Sequence, residues 1–305
     1  FIFRAYQPLE QAFYEIPIAK LLINPNRIAH TLANPEFVNS FIDPRKAGGL
    51  FPNANYAAVF SGVACLLGSG LYMLTRNKWL LMAGLFLLAA IPATGSKAGY
   101  LAAIIIGLWL ASRMRGLLRL LPIVFLGFGV LFSLAGDHII KSSPAPGKNQ
   151  YDIPSVHRSI ELHFSYTRTN THHRIHYWQA SINLIKQRPL LGNTAQHLED
   201  IDGIEFRRMQ SHNVYLKAGV YFGLPALVLA LLFHLGALKA LWAASRQLSG
   251  GARDFAFSSF LAFGWVVAQG LISNPEPVGE FHTAPLLAAM LGVTLAMPST
   301  SGNAS

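Results

Sequence analysis

Seven stretches of this sequence, each 15 to 21 residues long, contain no Asp, Glu, Lys or Arg: Tyr56–Leu74, Trp79–Ser96, Ala98–Ser112, Leu120–Gly136, Ala218–Leu238, Phe255–Asn274 and a last apolar run within Thr283–Met297. A helix that crosses a bilayer needs about 20 mostly apolar residues, with a range of roughly 17–25. The chain is therefore expected to fold as an all-α, polytopic transmembrane helix bundle. Composition agrees. Only 12% of the residues are charged, against about 25% in an average soluble domain, and the mean hydropathy is +0.37. The third and seventh runs are short, so charge placement has to arbitrate.

The net charge of +10 is unevenly placed. Arg76 and Lys78 fill the first connector, Arg113, Arg115 and Arg119 the third, and Lys239, Arg246 and Arg253 the fifth. These eight basic residues face one acid, Asp254, for a local +7, and the other segments together carry +3. By the positive-inside rule the three basic connectors are cytoplasmic. The complementary segments, residues 1–55, the Lys97 turn, 137–217 and 275–282, then face outward, and the alternation supports all seven crossings. Most of the surplus thus reports orientation and does not mark a nucleic-acid surface. The expected organisation is an outer segment over 1–55, four spans over 56–136, a large outer loop over 137–217, three spans over 218–297 and a cytoplasmic tail over 298–305. Because Phe1 is not an initiator methionine and 1–55 reads as outside, earlier spans are expected to have been cut away.

The large outer loop opens on the Pro- and Gly-containing stretch Ser142–Gly147. Within it, Ile175, Trp178, Ile182 and Ile185 recur at helical spacing, which predicts a short amphipathic helix over His172–Ile185 lying on or against the membrane domain. Arg188-Pro189 should end it. The single cysteine, Cys65, rules out an intramolecular disulfide and a cysteine-cluster metal site.

Eight of the eleven histidines fall in 137–217. His172, His173 and His176 contain an i, i+4 pair of the kind that binds metals, but no further ligand at fixed spacing accompanies them. Asp200-Ile201-Asp202 resembles a metal-dependent sugar-nucleotide transferase signature, in a location without nucleotide sugars. No metal or other cofactor is expected. His212 differs by position. It lies in Ser211-His212-Asn213-Val214-Tyr215-Leu216, where the loop enters the fifth span, and an imidazole there reads either as a structural interfacial group or as a general base for a sugar hydroxyl. Lys97, in Thr94-Gly95-Ser96-Lys97 at the mouth of the third span, reads either as a snorkelling lysine or as an anion ligand helped by neighbouring hydroxyls and helix amides. Arg174 is either solvated or a phosphate clamp.

Taken in order, these segments resemble the superfamily of bacterial O-antigen ligases and polymerases. The resemblance runs through Gly49-Leu50-Phe51-Pro52-Asn53-Ala54-Asn55, Thr94-Gly95-Ser96-Lys97, Arg174-x-x-x-Trp178, Arg188-Pro189-Leu190-Leu191-Gly192, and His212-Asn213 nine residues before Gly223. It departs at Lys97, where the family usually has arginine, a change that loses bidentate geometry, and at Pro225-Ala226-Leu227, where a glycine pair often stands. The resemblance implies an inner-membrane glycosyltransferase with its active site in a large periplasmic loop. It implies metal-independent, inverting transfer of a glycan from an undecaprenyl diphosphate carrier to a hydroxyl of lipid A-core, another glycan or a protein. His212 would be the base. Arg174 and Lys97 would neutralise the diphosphate, with Arg168 and Arg45 as further cations and Ser96, Asn213 and Tyr215 as further substrate contacts. Membrane lipids are the other implied partners, and nucleic acid is not one. Ligase, polymerase and protein transferase share these motifs and differ in acceptor. A transporter or scaffold is the alternative of another class, and it would place ionisable groups along a path inside the spans, where this sequence has only His234 and the boundary group Lys97.

Overall fold

The computed structural model describes residues 51, 54–141, 174–193, 213–272 and 283–298. Helix α1 spans Ala54–Thr75, α2 Lys78–Ala93 and α3 Lys97–Arg113; a 3-10 turn, Gly116–Arg119, leads into α4, Leu120–Lys141. Residues 174–187 form α5. Then come α6, Val214–Gln247, α7, Gly250–Ile272, and α8, Ala284–Ala296. No strand occurs among the described residues. A helix lies on each apolar run, and α5 stops at Arg188 as its proline requires.

The seven runs are not equivalent. Four helices are long and apolar enough to cross a membrane: α1, α6, α7 and the apolar stretch Gly116–Ser133 leading into and through α4. With 16, 17 and 13 residues, α2, α3 and α8 rise only about 24, 26 and 20 Å, less than a hydrocarbon core of about 30 Å. Their surfaces are nevertheless inverted relative to a soluble bundle. On α3, Leu101, Ile104, Ile105 and Leu108 are exposed at helical spacing while Gly99, Ala102, Ala103 and Gly107 are buried. An apolar outer stripe of this kind is stable only in an apolar solvent.

The described chain forms two compact units. The first holds α1 to α4, α8 and the stretch Ala240–Trp265 of α6 and α7. In it α2 packs against α1, α3 and α4, and α1 against α3 and α8. Small residues make the close approaches, as expected where there is no hydrophobic drive between helices in lipid. A methyl group at Gly129 of α4 would collide with the backbone of Ala89 on α2, only 2.9 Å from its carbonyl carbon. One at Gly84 would lie 2.6 Å from Ser69 Oγ. The turn between α1 and α2 is closed locally: Arg76 takes a left-handed φ of 61°, its N–H donates to Tyr72 O at 2.7 Å, and the Asn77 side chain caps α2 by accepting from Trp79 N at 3.0 Å. Asp254, the one acid among the basic connectors, accepts from Arg113 at 3.4 Å, and the same guanidinium lies 5.8 Å from the centre of the Phe257 ring.

The second unit holds α5, α6 up to Lys239 and the end of α7. As a straight rod α6, with 34 residues, would be about 51 Å long. It is broken at Gly223, whose φ of 82° and ψ of 177° are not helical. The arm before the break folds back along the arm after it. A Cβ on Gly219 would lie 3.0 Å from Leu227 Cδ1, and the rings of Tyr215 and His234 stand 5.5 Å apart, edge to face. The expected stretch Ala218–Leu238 is therefore not one continuous helix: residues before Gly223 belong to a short returning arm, and the long apolar arm begins at Leu224. Pro225, which has no N–H to continue the helical ladder, reinforces the break.

The expected apolar face of α5 is corrected as well. The stripe of Ile175, Trp178, Ile182 and Ile185 exists, but only its Ile185 edge is buried. The packed face contains Ser181, Leu184 and Ile185, set against Val220, with Leu216, Tyr221 and Leu227 around it, and Ile175 and Ile182 are exposed.

Gly129→Val should weaken the contact between α2 and α4, with overpacking costing roughly 1–3 kcal/mol. Gly127→Ala, two residues away with nothing within 4 Å of the added methyl, is the control. Thermal unfolding in detergent should show a lower Tm for the first variant and an unchanged one for the second.

Candidate functional site

Two of the motifs from the sequence meet in the first unit. Gly95, with φ 72°, turns the chain between α2 and α3, and its N–H donates to Pro92 O at 2.9 Å. Ser96 then caps α3: its Oγ accepts from Gly99 N at 3.2 Å and its hydroxyl donates to Asn55 Oδ1 at 2.8 Å. Gly99 is buried because a Cβ there would lie 3.0 Å from Ala58 Cβ. The starts of α1 and α3 are thereby tied together by one polar chain, Asn55 to Ser96 to the Gly99 amide. Lys97, the first residue of α3, is exposed beside it. An ammonium at a helix N-terminus adds to the positive end of the helix dipole and favours a bound anion. Ser96 is buried, and its hydroxyl is engaged in seating this helix start.

The second unit joins three more motif pieces at the break in α6. In a continuous helix Leu224 N–H would donate to Val220 O. Instead Leu224 N donates to Pro189 O at 2.6 Å, and Val220 O accepts from Asn193 N at 2.7 Å. Asn193 Nδ2 adds bonds to Val220 O at 3.1 Å and to Leu184 O at 3.2 Å. The loop 188–193 thus takes both ends of the interrupted hydrogen bond and also holds the last turns of α5. Glycine is required on both sides. Gly192, with φ 72°, lies where a Cβ would strike the Tyr221 backbone, and a Cβ on Gly223 would lie 2.6 Å from the Leu190 carbonyl carbon. This clasp sets a common origin for two candidate residues. Arg174, half-buried at the start of the described part of α5, is ten residues or about 15 Å along the helix from Leu184. Asn213 is seven residues, about 10 Å, before Val220.

Asn213 caps the returning arm, its Oδ1 accepting from Tyr215 N and Leu216 N at 3.0 Å each. This aligns the chain that immediately follows His212. Tyr215 is buried, and its hydroxyl has no hydrogen-bond partner among the described residues. His212, Arg168, Arg45, His172, His173, Asp200 and Asp202 lie outside the described residues, and His176 is exposed on α5. No group of three His, Cys, Asp or Glu suited to a metal ion occurs among the described residues. Asn193 escaped the sequence reading. An asparagine after a Pro-to-Gly turn looks like a turn residue, and only its tertiary acceptors, Leu184 O and Val220 O, reveal its work.

A family model described as O-antigen ligase matches residues 82–231. The match spans the Thr94–Lys97 turn, α5, the clasp, His212-Asn213 and the break at Gly223. No curated protein and no solved structure matches the chain.

Asn193→Ala removes two buried hydrogen bonds, each contributing about 1 kcal/mol net, and should lower Tm and speed limited proteolysis within 188–193. Asn193→Asp, which sets a third acceptor against two carbonyl oxygens, should be the more destabilised of the two by the same assays.

Proposed function

We propose, for a chain that belongs to the O-antigen ligase superfamily, that it transfers a glycan from undecaprenyl diphosphate to a hydroxyl of lipid A-core, on the periplasmic face of the inner membrane. The family carries the coarser statement, a membrane glycosyltransferase of the O-antigen ligase or polymerase type. The observation that supports the finer one is local. Both chemistry-bearing positions, Lys97 and His212, adjoin a residue whose side chain caps a helix, Ser96 and Asn213. Each cap lies within a motif of the resemblance.

In this reading His212 accepts the proton of the acceptor hydroxyl as its oxygen attacks the anomeric carbon. The bond from that carbon to the diphosphate oxygen breaks, and the electron pair leaves with the diphosphate, inverting the anomeric configuration. Charge builds on the departing diphosphate, where the Arg174 guanidinium and the Lys97 ammonium neutralise it. Arg168 and Arg45 supply further positive charge, and no step requires a metal. Tyr215 is the further contact that the resemblance implies on this side. Polymerase and protein-transferase readings use the same donor groups and differ in the acceptor.

The test is complementation of a strain lacking its O-antigen ligase, read on lipopolysaccharide gels. Restored attachment is expected; restored chain length only, or restored glycoprotein only, replaces the acceptor in this reading. His212→Ala should lower transfer by about 10²–10⁴, the usual weight of a general base, at unchanged protein level and membrane insertion. Normal attachment in that variant removes His212 from the mechanism. Lys97→Arg should retain activity and Lys97→Ala should lose it; the reverse order removes Lys97 from the diphosphate site.

A further inference from the structure

The clasp that seats the break in α6 also exposes large apolar side chains. Leu190 and Leu191 are 71% and 89% exposed, and Phe222, the residue before the break, is 69% exposed. Two leucines within a Pro-to-Gly turn would ordinarily be buried, and here the loop's inward contacts are made instead by backbone and Asn193. On α5, Ile175 and Ile182 lie seven residues apart, on one face, and are exposed as well. That face borders the packed one of Ser181, Leu184 and Ile185, so the apolar stripe of α5 runs from protein contact on one edge to open surface on the other.

We infer that Ile175, Ile182, Leu190, Leu191 and Phe222 are inserted into the hydrocarbon of the bilayer, making α5 and the clasp an interfacial membrane anchor. Three observations favour lipid as the occupant. Leu224 N is bonded to Pro189 O at 2.6 Å, which sets the leucine pair beside the first residue of the long apolar arm. From there the arm continues outward-facing as Leu224, Val228, Leu229 and Leu232 in a helix apolar and long enough to cross a membrane, so the patch is continuous with a lipid-facing surface. Lys186 and Arg188, exposed and just before the leucines in the chain, have the charge and reach to meet headgroup phosphates while apolar neighbours sink below them. If the function proposed above holds, the anchor keeps Arg174 at the depth where a lipid-linked diphosphate lies. The anchor itself does not depend on that function.

The test is spin-label accessibility in reconstituted bilayers. The one native cysteine, Cys65, is fully buried; Cys65→Ala gives a background in which Leu191→Cys, Leu190→Cys, Phe222→Cys and Ile182→Cys are labelled singly. Leu229→Cys on the long apolar arm is the lipid reference and exposed Asn183→Cys, about a quarter-turn round α5 from Ile182, the water reference. Variants are scored only when they elute as the parent does in detergent. The expected result is a ratio of oxygen to nickel-chelate collisions at 190, 191, 222 and 182 that matches position 229, with position 183 reversed. A ratio matching position 183 overturns the anchor in favour of an aqueous loop. Low collision with both agents overturns it in favour of a protein cover, either another part of this chain or a second copy. Because no turnover is measured, an inactive protein leaves the result intact.

Discussion

The interrupted hydrogen bond at Gly223 governs the second unit. A buried backbone amide or carbonyl left without a partner is costly, and Val220 is fully buried. Val220 O and Leu224 N, which would otherwise satisfy each other, are both satisfied by the loop 188–193. That exchange explains the composition of the loop. Pro189 contributes a carbonyl, Gly192 permits contact with the Tyr221 backbone, and Asn193 contributes three donations to two acceptors. It also explains why α5 and the returning arm of α6 are positioned together, since Leu184 O and Val220 O share one asparagine.

The first unit solves a similar problem with a shorter device. Its short helix α3 begins at Ser96, whose hydroxyl bridges the Gly99 amide and the Asn55 carboxamide, and close contacts at Gly84, Gly99 and Gly129 bring the helix backbones near one another. The single acid of the basic connectors, Asp254, is likewise absorbed into structure by Arg113. In both units the residue beside the candidate chemistry is a capping side chain. A cap fixes a helix start against its first amides.

Much of this was legible beforehand. Uncharged runs of suitable length located the helices of the bundle and Pro189 marked the end of α5, whereas Ser96 and Asn213, read from the sequence as substrate contacts, cap helices in the structure. The break was not. Ala218–Leu238 reads as one good span because Gly223 and Pro225 are tolerated inside transmembrane helices, and whether they break one depends on a partner for the freed groups. Nor was the buried edge of α5 legible, because Ile175 and Ile185 have the same hydropathy and only contact with Val220 separates them.

The sequence by itself determined that this chain is helical and roughly where its apolar helices lie, because those properties depend on residues within a few turns of one another. Its motifs, in order, also carried the resemblance to the O-antigen ligase superfamily. Tertiary structure alone decided that α6 turns back at Gly223, that Asn193 holds the turn, that Ser96 answers to Asn55, and that Leu190 and Leu191 stay outside. These outcomes rest on donors, acceptors and Cβ clearances supplied from other elements, as in the Asn193 to Val220 and Ser96 to Asn55 bonds, and no local pattern records which distant carbonyl will be there to accept.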